Sequence, residues 1–159
     1  RLSLVGSEMC IRDRPQIGKG IRLFIIDTSA FDNEEFESNS GFKTKSVKKT
    51  FINPEIINES GDLKLFEEGC LSIPNIRENI NRKSEIKIKY QDENFNIHED
   101  SFDGIVARVI QHEYDHLEGV LFTDKISPFK KKLIKGKLKN IMTGKVPVDY
   151  VMNFFKSQS

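Results

Sequence analysis

The sequence predicts an α+β domain in which a mostly antiparallel β-sheet packs around one central helix, with a basic helix at the C-terminal end. Two segments of alternating polarity, joined by a short polar turn, predict a β-hairpin. A stripe of apolar residues spaced three and four apart predicts the central helix. A lysine-rich segment that opens with Ser127-Pro128 predicts the basic helix, because proline suits the first turn of a helix.

The strands are predicted from apolar runs and from alternation. In chain order they are residues 21–27, 49–57, 64–66, 85–91 and 95–101. The first is nearly all apolar, as expected for a buried strand, and it precedes a polar surface loop over residues 28–45. Asn53-Pro54 is expected to break the second strand, and Asp92-Glu93-Asn94 predicts the turn of the hairpin. His98 is expected to be a solvated residue of the last strand.

The central helix is predicted between Asp103, which can cap its start, and Gly119, which can end it. Its apolar face comprises Ile105, Val106, Val109 and Ile110. His112 and His116 continue the same face, so two polar rings lie where core side chains are expected. Buried histidines need polar or metal partners.

The segment His112-Glu113-Tyr114-Asp115-His116 is the strongest functional signal in the chain. Residues four apart lie on one face of a helix, so the two imidazoles can bind one metal ion while Glu113 points toward its open side. This pattern is the skeleton of a hydrolytic metal site. The alternative is a charged surface helix in which the spacing arises by chance.

Two histidines leave such a site incomplete, because catalytic metal sites usually have three protein ligands and a water. Downstream there is no further histidine, Glu118 is too close along the helix, and Asp124 and Asp149 are the remaining acids. Upstream, Cys70 lies in the segment EEGCLS at residues 67–72, and a thiolate is a good ligand for zinc or ferrous iron. The glycine before it allows close backbone approach. Alternatively, the cysteine is a small buried hydrophobic residue.

The segments EGCLSIP and QHEYDHLEG together resemble peptide deformylases, in particular the bacterial type, and the resemblance runs from about Pro15 to the C-terminus. It implies the peptide deformylase fold and the hydrolytic removal of the formyl group from the N-terminal formylmethionine of new proteins, with release of formate. It also implies that Cys70, His112 and His116 are metal ligands and that Glu113 is the catalytic acid/base.

A third motif of this family is a glycine-rich stretch, and only its tail is matched, by Pro15-Gln16-Ile17-Gly18. The resemblance implies that the Gln16 amide and the Leu71 backbone N–H meet the negative charge that develops on the formyl oxygen. Val109 and Gly69 are expected to line the pocket for the methionine side chain.

The chain departs from the family before this tail. Residues 8–14 read EMCIRDR where the family has Gly-x-Gly-Leu-Ala-Ala, and the chain starts at Arg1 rather than at a methionine. Residues 1–14 are therefore expected to be a non-native leader, and residues 15–159 a deformylase domain that lacks its N-terminal helix and strand. The alternatives are an inactive metal-binding fragment of a deformylase and a zinc endopeptidase of the His-Glu-x-x-His type, which would take its third ligand elsewhere.

The resemblance also implies a cofactor and partners. The cofactor is one divalent metal ion, Fe²⁺ first, with Zn²⁺, Ni²⁺ or Co²⁺ able to occupy the same site. The substrates are N-formylmethionyl nascent peptides. Residues 125–145 carry eight lysines and no acid, which usually indicates a solvated helix face. In deformylases a basic C-terminal segment can contact the ribosome, since RNA phosphates attract lysines.

Composition excludes several other classes of protein. The 159 residues suffice for one domain, and a net charge of +1 gives no general attraction for DNA. No apolar run approaches the roughly 20 residues of a membrane span, and nothing resembles a signal peptide. The two cysteines, Cys10 and Cys70, indicate a reducing compartment rather than a disulfide framework, so a cytoplasmic location is expected.

Overall fold

The computed structural model describes residues 22–31 and 46–148 of the chain. Gln16, the expected leader at residues 1–14 and the first residue of the predicted first strand lie outside the described residues. Most of the predicted polar loop, at residues 32–45, also lies outside them. The described part contains four strands and two α-helices.

A four-stranded antiparallel sheet forms the framework, with the strands in chain order across it. The strands are β1 (Leu23–Asp27), β2 (Lys48–Cys70), β3 (Ile73–Gln91) and β4 (Ile97–Asp103). Each strand pairs with the next one along the chain, as is usual for sequential antiparallel strands. The predicted α+β architecture with an antiparallel sheet is confirmed.

β2 and β3 form one long, irregular hairpin that leads to the candidate site. Its register shifts between Ile52 and Glu55, Ile56 and Asn58, Ser60 and Leu63, and Gly69 and Cys70. Bulges bend a ladder locally, which lets a strand of 23 residues follow a curved path. The predicted break at Asn53-Pro54 takes the form of an interruption of the ladder within one continuous strand, since a register shift leaves Pro54 unpaired and Asn53 takes a left-handed conformation with φ of 48°. The separate strand predicted at residues 64–66 is part of β2.

The turn between β3 and β4 forms where the sequence predicts it. Asp92 accepts hydrogen bonds from the backbone N–H groups of Asn94 and Asn96, at 2.8 and 2.9 Å. His98 follows on β4 with 39% of its side chain exposed, and its Nε2 lies 2.8 Å from the Asp92 Oδ2. It also stacks on Tyr90. His98 is therefore a half-exposed strand residue that is also held in place by Asp92 and Tyr90.

The central helix, α1 (Gly104–Leu117), begins and ends where the sequence predicts. Asp103 occupies the cap position, although its side chain makes no cap hydrogen bond, and Gly119 takes the left-handed conformation that ends many helices. The prediction of one apolar face is too narrow. Residues 105–113 are all buried, because α1 packs against β1, β3 and β4.

The basic helix, α2 (Pro128–Met142), is also confirmed, with Ser127 as its cap. The Ser127 Oγ accepts a hydrogen bond from the Lys130 N–H at 3.4 Å. Ile134 and Ile141 are its buried residues and lie seven positions apart, two turns along one face. Among the described helices, none is both long enough and apolar enough to span a membrane.

The buried apolar side chains form two clusters. The first cluster joins α1 to β1, β2 and β3 and includes Phe24, Phe51, Ile88, Tyr90, Val106, Val109 and Ile110. The second cluster joins the tip of the β2–β3 hairpin to α2 and includes Cys70, Ile73, Ile76, Ile80, Phe122, Ile126, Ile134 and Ile141. The helix that carries the two predicted histidine ligands thus packs in one cluster, whereas the predicted cysteine ligand packs in the other.

Candidate metal centre

Cys70 is the last residue of β2 and lies at the tip of the long hairpin. The two-residue loop Leu71–Ser72 returns the chain to Ile73, which is the ladder partner of Cys70. Immediately before this pair the register jumps, since Gly69 faces Arg77 and leaves three residues of β3 unpaired. Such a bulge turns the tip away from the rest of the ladder. The cysteine is 5% exposed.

The helix α1 presents two imidazoles one turn apart on one face. His112 is 3% exposed and His116 is half-buried. Their ring centroids lie 4.9 Å apart, with the ring planes at 89° to each other. The His112 ring also stacks on Phe122, with centroids 6.2 Å apart, and this contact restricts its rotation.

Three ligand-type side chains converge at one point. The ligand atoms of Cys70, His112 and His116 all lie within 4.8 Å of one another. The Cys70 Sγ is 3.4 Å from the His116 Nε2 and 3.4 Å from the Ser72 Oγ. Asp124 does not belong to this group, and Asp149 lies outside the described residues. Among the described residues, the upstream cysteine is thus the one placed to complete the histidine pair as a third ligand.

The electrostatics of the three groups favour a bound cation. Burial raises the pKa of the Cys70 thiol, but hydrogen bonds with His112 and His116 outweigh burial and lower this pKa to about 4. Burial likewise opposes charge on His112, yet the thiolate and nearby carboxylates raise its pKa to about 10. The thiolate is the form of cysteine that binds metals. A metal ion would replace the protons that the two imidazoles share with the Cys70 thiolate.

A buried carboxylate holds His112 from behind. The His112 Nδ1 donates a hydrogen bond to the Glu68 Oε2 at 3.0 Å, which leaves Nε2 as the ring atom for a metal. Arg82 donates two hydrogen bonds to Glu68, at 2.7 and 2.9 Å, and Arg108 donates a third at 2.9 Å. Burial raises the pKa of Glu68, but Arg82 and His112 outweigh it and hold this pKa well below its usual range. Glu68 is therefore a stable anion behind the ring.

The other predicted site residues adjoin the three ligands. Glu113 follows a ligand on α1, and Gly69 and Leu71 flank the cysteine. Glu113 is 4% exposed, Gly69 is buried and Leu71 is half-buried. Val109 packs in the first cluster, one turn before His112 and two turns before His116. Gln16 lies outside the described residues.

Comparison with known proteins identifies the family. The family model of polypeptide deformylase matches residues 14–132. The chain is 51% identical over 141 residues to a peptide deformylase of Christiangramia forsetii and 53% identical over 139 residues to one of Flavobacterium psychrophilum. These matches cover 88% and 87% of this chain and 72% of each relative. This chain belongs to the peptide deformylase family.

Solved structures of deformylases agree with the fold. A Plasmodium falciparum peptide deformylase with ten subunits per asymmetric unit matches with a TM-score of 0.67 and 31% identity, over 84% of this chain and 72% of that one. Another Plasmodium falciparum deformylase, in complex with an inhibitor, matches with a TM-score of 0.57 and 39% identity. That match covers 62% of this chain and 64% of the other, so the chain spans a little under two thirds of that structure.

Peptide deformylases are hydrolases of protein biosynthesis that remove the formyl group from an N-terminal methionine. The high identity to several of them supports this enzyme class and function for the chain. The predicted family, fold and enzyme class are thereby confirmed. Neither a zinc endopeptidase nor an inactive fragment is favoured by these similarities.

The charged residues behind the ligands were not predicted, although the sequence carried signals for them. Glu68 lies two positions before Cys70 in a strand, so both side chains point to the same face. Arg108 lies four positions before His112, on the same face of the helix. In the predicted strand at 85–91 the even-numbered residues are the buried ones. Extending that strand toward the N-terminus would have placed Arg82 on the same buried face.

Proposed function

We propose that this chain hydrolyses the formyl amide of N-formylmethionyl peptides at a single metal centre held by Cys70, His112 and His116. The observation that carries the proposal is the convergence of their ligand atoms within 4.8 Å. The cysteine and the second histidine are 46 residues apart in the chain. A surface helix with a chance pair of histidines would not have a buried cysteine at the same point.

The donor set fits one divalent metal ion. A thiolate and two imidazoles supply three protein ligands and leave a fourth position for water or substrate. Such donors suit Fe²⁺, Zn²⁺, Ni²⁺ or Co²⁺ better than Mg²⁺ or Ca²⁺. When bound, the ion supplies Lewis-acid chemistry, which lowers the pKa of a bound water toward about 7 and polarises a carbonyl oxygen. The family resemblance supports Fe²⁺ as the resident ion.

Glu113 acts as general base and then as general acid. It adjoins a ligand on α1 and is 4% exposed, so little bulk water competes for its carboxylate. In the first step Glu113 accepts a proton from the water that attacks the formyl carbon. In the second step it donates that proton to the amine nitrogen as the carbon–nitrogen bond breaks, and formate and a free N-terminus are released.

Leu71 and Gln16 are proposed to donate hydrogen bonds to the formyl oxygen as it gains negative charge. The Leu71 backbone suits this role because the tight loop after Cys70 fixes its position. One such donor is typically worth a factor of about 10² to 10³ in rate. Gly69 and Val109 are proposed to line the methionine pocket. Gly69 has no side chain and so leaves its backbone uncovered, and Val109 is apolar and lies one turn before His112.

A reducing, cytoplasmic location is proposed from the state of the cysteine. Cys70 is free and buried, and no disulfide involves the described residues. A thiolate beside ferrous iron is also open to oxidation. Peroxide should therefore inactivate the iron-loaded protein much faster than the zinc-loaded protein. Equal rates of inactivation would contradict the idea that bound Fe²⁺ makes the site sensitive to oxidation.

The test of the proposed function combines an activity with a metal measurement. The purified chain, loaded with Ni²⁺ or Fe²⁺, should release formate from formyl-Met-Ala-Ser. Cys70→Ala should lose both the bound metal and the activity, because two imidazoles alone hold a metal poorly. Cys10→Ala is the matched control, since it makes the same change at the other cysteine, and it should keep one metal per chain.

The outcomes separate the competing functions. Full metal content in Cys70→Ala would contradict this ligand set and favour a zinc endopeptidase with another third ligand. Metal binding without formate release in the wild-type chain would favour an inactive metal-binding fragment. Formate release that depends on Cys70 would support the deformylase.

The helix α2 is proposed to bind ribosomal RNA. Lys130 is paired with Glu78 at 2.5 Å and Lys131 with Asp124 at 3.4 Å, so these two lysines are partly neutralised. Four lysines of the helix have exposed side chains, namely Lys132, Lys135, Lys137 and Lys139. Exposed cations on one helix favour a partner rich in phosphate.

Ribosome co-sedimentation at low salt tests this contact. Replacing Lys132, Lys135 and Lys139 with Glu should weaken co-sedimentation strongly, because each reversal adds repulsion from phosphate. The control replaces Lys64, Lys83 and Lys89, which are exposed on β2 and β3, with Glu and makes the same change in net charge. An equal loss in both variants, or no loss in either, would contradict a specific role of α2.

A further inference from the structure

One buried arginine spans the two carboxylates that flank the metal centre. Arg82 on β3 donates to both oxygens of Glu68 on β2, from Nε at 2.7 Å and from Nη2 at 2.9 Å. Its remaining nitrogen, Nη1, donates to the Asp115 Oδ2 on α1 at 2.6 Å. The side chains of Arg82 and Glu68 are 3% and 0% exposed, and that of Asp115 is 15% exposed. The guanidinium is thus a bridge from strand to helix, shielded from water.

Each carboxylate of this bridge adjoins a metal-ligand candidate. Glu68 lies two positions before Cys70 on the same face of β2, and it accepts the hydrogen bond from the His112 Nδ1. Asp115 directly precedes His116 on α1. Arg82 therefore connects the strand that carries the thiolate with the helix that carries both imidazoles.

The neighbouring Arg108 does not duplicate this connection. It donates to Glu68 at 2.9 Å and to the backbone oxygens of Ile80 and Lys64, at 2.9 and 2.5 Å. These contacts fasten the first half of α1 to β2 and β3. Of the two arginines, Arg82 is the one that donates a hydrogen bond to the second half of the helix, at Asp115 between the histidines.

We propose that Arg82 is a positioning residue that sets the separation between Cys70 and the two histidines, with Asp115 as its anchor on α1. The inference rests on the proposed metal centre. Metal–ligand distances tolerate only about 0.2 Å of variation, so a bridge that fixes strand against helix controls metal affinity. Lysine cannot replace arginine here, because one ammonium group lacks the planar fork that reaches two carboxylates at once.

The chain offers a matched control for the anchor. Lys125 also contacts the Asp115 Oδ2, at 3.1 Å, but its side chain is 35% exposed, whereas that of Arg82 is 3% exposed. Lys125→Met removes a cation from the same carboxylate and leaves the Arg82 bridge intact. Asp115→Asn keeps the shape of the anchor and removes its charge.

The experiment measures Zn²⁺ affinity by competition with a chromophoric chelator, for the wild-type chain and the variants Arg82→Lys, Asp115→Asn and Lys125→Met. Loss of a group behind metal ligands typically lowers affinity about 10- to 100-fold, and this is the loss expected for the first two variants. Lys125→Met should stay within about 3-fold of the wild type. In the Co²⁺-loaded protein, the first two variants should also weaken the thiolate-to-cobalt charge-transfer absorption.

A double variant strengthens the test. Arg82→Lys with Asp115→Asn should bind Zn²⁺ no more weakly than the worse single variant, because both substitutions break one bridge. Lower thermal stability with unchanged Zn²⁺ affinity and unchanged cobalt absorption would show a merely structural role and overturn the proposal. Asp115→Asn decides the matter if Arg82→Lys fails to fold. A wild-type chain that binds no Zn²⁺ would overturn the metal centre as well, whereas tight binding that both variants retain would overturn only the positioning role.

Discussion

His112 is constrained at one ring edge and one ring face before any metal binds. Its Nδ1 is hydrogen-bonded to Glu68 at 3.0 Å, and its face stacks on Phe122. Two arginines in turn hold the carboxylate. Because the ring is already oriented, binding a metal costs little side-chain entropy at this residue. Contacts from β2, β3 and the segment after α1 therefore aim the other ring nitrogen, Nε2, at the candidate site.

Glu113→Gln tests the role of the proposed acid/base. The substitution keeps the size of this buried side chain but removes its ability to accept a proton. We expect formate release to fall by at least about 10²-fold while one metal per chain is retained. Formate assays and metal analysis of the same preparation measure both quantities.

Glu118→Gln is the matched control for this prediction. Glu118 caps the C-terminal end of α1 and pairs with Arg22 at the surface, so the same chemical change there should leave the rate unaltered. Equal activity of the two variants would contradict a role of Glu113 in proton transfer.

The helices could be predicted from the sequence more completely than the long β2–β3 hairpin. The helices α1 and α2 were predicted because their signals are local, namely a regular apolar spacing and residues such as Ser127 at their ends. The long hairpin was predicted as three pieces because its irregular positions resemble breaks. Gly61, for example, has φ of 75°, and a Cβ there would lie 2.2 Å from the Ser84 Oγ. Because β2 pairs with β3 on both sides of each such position, the strand continues despite the irregularity.

The candidate site divides in the same way. The ligands Cys70, His112 and His116 were predicted because the histidine spacing and the residue types indicate a metal site and because the motifs around them resemble those of peptide deformylases. The ion pair of Glu68 and Arg82 behind the ligands depends on how β2 and β3 are paired. These two residues are 14 positions apart in the chain, so no local sequence pattern predicts their contact. Buried charges of this kind become predictable only when the register is known.

Asp100 on β4 joins three strands and makes stability depend on pH. It accepts hydrogen bonds from the Lys49 Nζ of β2 at 2.7 Å and from the Tyr90 hydroxyl of β3 at 2.6 Å. These two donors lower the pKa of Asp100 below its ordinary value of 3.8. Because the folded-state pKa is depressed, this stabilisation is present above the ordinary pKa and is lost as pH falls through the folded-state value.

Asp100→Asn should therefore lower the free energy of unfolding at pH 7, and the difference from the wild type should shrink at about pH 3. Urea unfolding at the two pH values measures it. Glu99→Gln is the control, since Glu99 pairs with Lys87 on an open surface where both side chains are nearly half exposed, and such pairs contribute little. A difference for Asp100→Asn that is the same at both pH values would contradict the assignment.

For the whole molecule, the candidate metal centre lies at the junction between the two apolar clusters. The second cluster contains Cys70 and most of the buried face of α2, whereas the first contains the buried apolar residues of α1. Within the described residues, the contact between the Cys70 Sγ and the His116 Nε2 adds a polar link between these two packed regions. A metal ion at this point would bind the folded chain and not the unfolded one, so it would couple the two clusters in unfolding.

Metal removal should accordingly destabilise the whole protein rather than the site alone. Zn²⁺ at about 100 times its dissociation constant should add about 2.7 kcal/mol to the free energy of unfolding, which corresponds to about 5–10 °C in Tm for a chain of this size. Calorimetry with Zn²⁺ and after chelation measures the shift, and a single transition in both states would show that the clusters unfold together. Cys70→Ala should show almost no Zn²⁺-dependent shift, because the junction then lacks one of its three donors. The same shift in that variant would mean that Zn²⁺ stabilises the chain at another place.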